Sequence, residues 1–204
     1  MAITLVDILD YAGVATFAAS GALMAAERRQ DVVTFIFFAA ITGVGGGTLR
    51  DLLIGAPVFW VVNPAYAIVC AVVAVLVFLS RGYGMPRRAL LWLDAAGLCV
   101  YAVVGAAKAL AFGIDPVIAV VMGALTATFG GVIRDVLAGE PSVLLRRELY
   151  VTPAIASAAM FVVAAEFGLQ TAWASGVGIV LGFIVRAGAI LAGWHMPAFK
   201  PKGE

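Results

Sequence analysis

Two stretches place an arginine beside an aspartate in otherwise apolar surroundings: Gly45-Gly46-Gly47-Thr48-Leu49-Arg50-Asp51 and Gly130-Gly131-Val132-Ile133-Arg134-Asp135. Charged groups in hydrocarbon are costly unless paired, and where they persist they mark ion paths, relays or assembly contacts. Clustered glycine removes side-chain restraint and lets backbones approach closely. The chemistry on offer is electrostatic: attracting, repelling or holding an ion. Nucleophilic and metal chemistry have little material. The single histidine, His195, stands just before Pro197 and supports neither a zinc site nor a His-dependent triad. No Gly-Lys-Ser/Thr phosphate loop is present, and the glycines do not lie between a strand and a helix as a dinucleotide fingerprint requires. No catalytic residue, cofactor or metal is therefore expected, and an enzyme is the least favoured class. Cys70 and Cys99 sit in apolar runs and read as buried free thiols.

The elements that must hold these charges are membrane helices. With 64% hydrophobic and only 12% charged residues, the chain has too little polar surface to cover a water-soluble globule. A net charge of +1 gives no reason to expect nucleic acid as a partner. Seven stretches approach the roughly 20 apolar residues that a spanning helix needs: near 3–26, 32–54, 62–79, 89–112, 116–138, 149–167 and 173–194. The first carries Asp7 and Asp10 and has no basic leading segment, so it reads as a membrane helix and not as a cleaved signal. Arg28, Arg29, Arg81, Arg87, Arg88, Arg146, Arg147, Lys200 and Lys202 all fall on one side of this arrangement. The positive-inside rule then puts the tail, 195–204, in the cytoplasm and the N-terminus outside. Glu140, Arg146, Arg147 and Glu148 read as a solvated cytoplasmic turn.

Arg50 and Arg134 lie 84 positions apart, and the same offset relates Asp51 to Asp135, Gly55 to Gly139 and Pro57 to Pro141. Followed backwards it relates Thr42 to Thr126, Asp31 to Asp115, Gly21 to Gly105, Gly13 to Gly97 and Asp10 to Asp94. This is an internal repeat. Its unit is three helices, about 3–79 and about 89–167, within a single membrane domain spanning 1–204. Because three is odd, the copies enter the membrane from opposite sides, as two inverted three-helix repeats plus a seventh helix.

Helical spacing sorts the motif residues into faces. Thr42, Gly46 and Arg50 form one stripe, mirrored by Thr126, Gly130 and Arg134, and this stripe is expected to be polar. Gly43, Gly47 and Asp51, mirrored by Ala127, Gly131 and Asp135, form the expected packing face. Three consecutive glycines predict a kink or an unwound turn at each motif, because irregular backbone at membrane depth borders a cavity or a site. Adjacent residues diverge by about 100° around a helix, so Arg50 is not expected to pair with Asp51. Gly13, Phe17 and Gly21, repeated as Gly97, Tyr101 and Gly105, predict a packing groove. Asp10 and Asp94 allow capping, snorkelling or attraction of cations to a mouth. Lys108 and Arg186 call for an acid or a lipid phosphate as partner.

The doubled glycine-Arg-Asp motif, with Gly55, Pro57, Phe59-Trp60, Gly139 and Glu148-Leu149-Tyr150, closely resembles the prokaryotic branch of the trimeric intracellular cation channel family, TRIC. The resemblance covers nearly the whole chain. It implies seven helices, a homotrimer in a bacterial inner membrane and a passive pore for monovalent cations, potassium and sodium, within each protomer. By position it implies that Gly45, Gly46, Gly47, Arg50, Asp51, Gly130, Gly131, Arg134 and Asp135 adjoin that pore, on kinked second and fifth helices. Thr42, Thr126, Asp10 and Asp94 are candidate polar lining, and membrane lipids are expected partners. Animal members carry Lys-Glu-Val where this chain has Gly130-Gly131-Val132, so phosphoinositide binding does not carry over. Related bacterial sequences are also labelled glycine transporters, which makes a secondary carrier of a small amino acid the alternative.

Overall fold

The computed structural model describes residues 5–80, 87–142, 144 and 149–197. They form α1 (Leu5–Glu27), α2 (Val32–Leu53), α3 (Ala65–Leu79), α4 (Arg87–Ala111), α5 (Pro116–Leu137), α6 (Val151–Glu166) and α7 (Thr171–Ala192), with one helical turn at Phe59–Val62. Of the basic residues behind the expected orientation, Arg81, Arg146, Arg147, Lys200 and Lys202 lie outside the described residues, as does Glu148.

The repeat is visible in how the helices begin and end. Asp31 caps α2 by accepting from the Thr34 amide, and Asp115 caps α5 by accepting from the Val117 amide. A carboxylate there satisfies an otherwise orphaned N–H and meets the positive helix end. Both helices stop at a left-handed glycine, Gly55 at φ 68° and Gly139 at φ 66°, where a side chain would be strained. The next amides, of Ala56 and Glu140, turn back to the carbonyls of Asp51 and Asp135.

Among the described residues, five helices are long and apolar enough to cross a membrane, and α3 and α6 are shorter. At 15 residues, α3 rises about 22 Å against a hydrocarbon core of about 30 Å. The Phe59–Val62 turn ends where this helix was expected to begin, and α3 starts at Ala65. Within the first repeat α1 packs on α2 and α3, and within the second α4 packs on α5 and α6. The repeats join through α1 on α4 and α2 on α5, and α7 lies against α6 and α4.

The α1–α4 contact holds half of the predicted groove: Gly13 and Gly97 lie in it, whereas Gly21 and Gly105 face α2 and α5. The Tyr101 ring occupies the space a side chain at Gly13 would need, and the Phe17 ring does the same at Gly97. The two rings meet edge to face at 5.3 Å, a favoured aromatic geometry.

Candidate functional site

Contrary to the expectation of an unwound turn, α2 and α5 run helical through their glycines. The glycines serve close approach. A methyl group at Gly46 would overlap the Thr126 carbonyl, and one at Gly130 would overlap the Thr42 carbonyl. Position 42 meets 130 and 46 meets 126, so the two helices cross antiparallel, backbone on backbone. The Thr42–Gly46 stripe, expected to be the polar face, is thus the packing face. Thr42 also fills the gap left by Gly21, and Thr126 the gap left by Gly105, each pointing between helices. Gly47 and Gly131, on the expected packing face, instead make room for side chains, the Phe59 ring and the Tyr150 hydroxyl. Gly45 is the open member of the triple, with only the Ile133 side chain near its missing Cβ.

Arg50 and Arg134 each lie four residues beyond a crossing glycine. Because the helices are antiparallel, the arginines sit at opposite ends of the crossing. Each is about six residues, or about 9 Å of helix rise, from its midpoint.

At the first end Arg50 and Asp51 are buried, at 1% and 0% side-chain exposure, and they bond each other. Arg50 Nε and Nη2 both reach Asp51 Oδ1 at 2.8 Å. This corrects the expectation that neighbours in sequence would not pair. The 100° divergence describes Cβ directions, whereas a guanidinium on three methylenes can curl back to the next carboxylate when no water competes for it. Asp51 collects two further donors. Lys108 Nζ from α4 lies 2.8 Å from Oδ1, and the Phe59 amide donates to Oδ2 at 2.9 Å. Arg50 and Lys108 each stand 5.8 Å from the centre of the Phe59 ring, within cation–π range. Asp10 lies within electrostatic reach of this cluster but accepts its hydrogen bond from the Tyr66 hydroxyl, at 3.0 Å.

At the second end the pairing differs. Arg134 Nε and Nη2 reach Asp135 Oδ1 at 2.9 and 2.7 Å. Its Nη1 bonds Asp94 Oδ1 at 2.8 Å and also donates to Ser20 Oγ. One guanidinium between two buried carboxylates is held on nearly every donor, the geometry for which arginine is suited. Arg186 donates to the Leu149 carbonyl at 2.8 Å and lies 5.3 Å from the Tyr150 ring centre.

Ser20 and the Asp51–Lys108 pair were not singled out from the sequence. A signal was present, since the repeat breaks at these positions: Ser20 answers to Val104 and Met24 to Lys108. Glu140, expected to be merely solvated, pairs with Arg28 at 2.6 Å. Cys70 and Cys99 are buried free thiols, as expected.

Beside the first cluster lies a cavity of about 710 Å³, lined by Asp7, Asp10, Asn63, Tyr66, Lys108 and Thr171 among mainly apolar side chains. Among the described residues no group of three His, Cys, Asp or Glu side chains could hold a metal ion.

A family model described as "Glycine transporter" matches the chain twice, at residues 7–81 and 91–166, once for each repeat. The trimeric intracellular cation channel (TRIC) orthologue from Rhodobacter sphaeroides superposes with a TM-score of 0.91 at 47% identity, covering 94% of this chain and 100% of that one. The chain belongs to the prokaryotic TRIC family. A second TRIC cation channel structure, solved in work on conductance, matches with a TM-score of 0.86 at 30% identity over 98% of this chain and 100% of its own. The UPF0126 inner membrane protein YadS of Escherichia coli K12 is 39% identical across 94% of both chains. A UPF0126 membrane protein of Vibrio cholerae is 36% identical over 95% of this chain and 81% of that one. TRIC proteins are channels, not enzymes.

Proposed function

We propose that this protein is a passive channel for monovalent cations, potassium among them, acting as a homotrimer with one pore in each protomer between α2 and α5. The observation that carries this reading is the pair of buried Arg-Asp clusters at the two ends of the α2–α5 crossing. A water-filled path beside that crossing passes fixed charge at both ends, and its carboxylates attract cations. The relatives add weight, since those with solved structures are cation channels and some are described as trimeric. By the same likeness the protein resides in a bacterial inner membrane in contact with lipid, and the positive-inside pattern sets the N-terminus outside and the C-terminus in the cytoplasm.

Each arginine already bonds its neighbouring aspartate, so the arginines brace the fold while the acids provide the attractive potential. Pore-adjoining roles for Gly45, Gly46, Gly47, Gly130 and Gly131 follow from the crossing they build. Thr42, Thr126, Asp10 and Asp94 adjoin the same path. A carrier for a small amino acid would use amides freed at an unwound turn to hold the substrate carboxylate. Uninterrupted helix through both glycine motifs leaves no such amides there, which favours the channel.

Potassium-loaded proteoliposomes test this reading. The expected result is potassium efflux, well above that of protein-free vesicles, with chloride retained. Saturable glycine counterflow without cation efflux would overturn it.

A further inference from the structure

The two repeats treat equivalent aspartates differently. Asp94 is bound by Arg134 at 2.8 Å, and both side chains are almost wholly buried. At the matching place 84 positions earlier, Arg50 turns to Asp51, and Asp10 is left with a neutral donor, the Tyr66 hydroxyl. Asp10 Oδ1 and Arg50 Nη1 are buried and make no hydrogen bond among the described residues, although their counterparts bond each other. Asp10 forms no ion pair among the described residues, and it lines the 710 Å³ cavity.

Resting on the channel reading, we infer that Asp10 is the entry station for the permeating cation at the cavity face. Asp10 makes no direct ion pair among the described residues, and although Arg50 and Lys108 lie within reach of its charge, a carboxylate in a recess walled mainly by apolar side chains focuses potential and raises the local concentration of cations. Tyr66 and Asn63 add neutral oxygens around it. The carboxylates of Asp7 and Asp10 with the oxygens of Tyr66 and Asn63, beside Lys108, fall short of the six to eight oxygen ligands calcium takes and suit a monovalent ion that keeps most of its water. Lys108, bound to Asp51 on the cavity wall, limits how deep the ion rests. Uptake from the cavity face therefore depends on Asp10, whereas uptake from the opposite face does not.

Unitary currents of the wild type and Asp10→Asn, recorded with potassium lowered on one side at a time, test this. At low potassium, Asp10→Asn is expected to reduce current entering from the cavity face about threefold or more, with entry from the other face unchanged. Asp10→Glu should restore the current, and raised ionic strength should shrink the difference. Equal loss from both faces, or no loss, would overturn the inference while leaving the channel reading intact. Should Asp10→Asn fail to assemble, the wild type decides alone: a current entering from the cavity face at low potassium that raised ionic strength leaves unchanged would overturn it. Absence of any wild-type cation current would remove the channel reading and this inference with it.

Discussion

At the end of α5, Arg134 lies between Asp94 and Asp135 in a sealed cluster; at the end of α2, Arg50 shares Asp51 with Lys108, and Asp10 is left facing a cavity. The backbones match in their capping aspartates and their left-handed glycines. A few side-chain differences redirect the charges. Lysine at 108, where the first repeat has Met24, supplies Asp51 with a second cation. Serine at 20, where the second repeat has Val104, supplies Arg134 with an extra acceptor. The lesson is that an inverted repeat fixes where charges sit, while which charges pair is decided by single positions that break the repeat.

The sharpest way to break the comparison is to unlock the sealed end. Asp94→Asn leaves Arg134 with one carboxylate in a buried site, and removing one partner of such a pair costs about 3–5 kcal/mol. Thermal unfolding in mild detergent should show a large fall in midpoint and loss of oligomer. Asp10→Asn, at the equivalent position, breaks no ion pair and should change the midpoint little. Equal falls would mean that the two ends are built alike.

Next in size is the crossing that both ends share. A Cβ at Gly46 or Gly130 meets backbone and not a movable side chain, so Gly46→Ala and Gly130→Ala should each cost about 1–3 kcal/mol or more. Gly45→Ala, facing only the Ile133 side chain, should be mild. Denaturation monitored by loss of helical circular dichroism would rank the three.

Lys108→Met makes the open end resemble the sealed one in sequence. Asp51 keeps Arg50 and the Phe59 amide, so the expected loss is about 1.5 kcal/mol. The smallest effect belongs to the Arg28–Glu140 pair, which is substantially solvent-exposed. Glu140→Gln should cost under about 1 kcal/mol, and 0.5 M salt should erase the difference between mutant and wild type.

Much of this was legible in the sequence. The offset of 84 identified the inverted repeat, matched Asp31 with Asp115, and marked Gly13, Phe17, Gly97 and Tyr101 as part of a packing groove, because these depend on spacing alone; that the aspartates cap helices and that each ring sits on the other repeat's glycine came from the structure. The glycine motifs were located, but the unwound turn they suggested is absent. Three glycines signal freedom to unwind, yet here the energy of close packing against a neighbouring carbonyl keeps the helix intact, and that neighbour lies more than 80 residues away. The Arg50–Asp51 pairing escaped because helical angles describe where side chains start and not where long ones end. Lys108 was recognised as needing an acid, but which acid depends on how α4 docks against α2.

The central claim is that cations pass through each protomer beside the α2–α5 crossing, drawn by the acids and not steered by the arginines. Single-channel recording of purified wild type, Arg50→Ala and Arg134→Ala in planar bilayers, under opposing potassium chloride gradients, tests it most directly. The account predicts discrete unitary steps reversing near the potassium potential in all three, with the substitutions altering open probability or trimer stability and leaving cation-over-anion selectivity in place. Absence of unitary steps in the wild type, or a sharp change in unitary conductance in a variant whose assembly and gating are untouched, would contradict it.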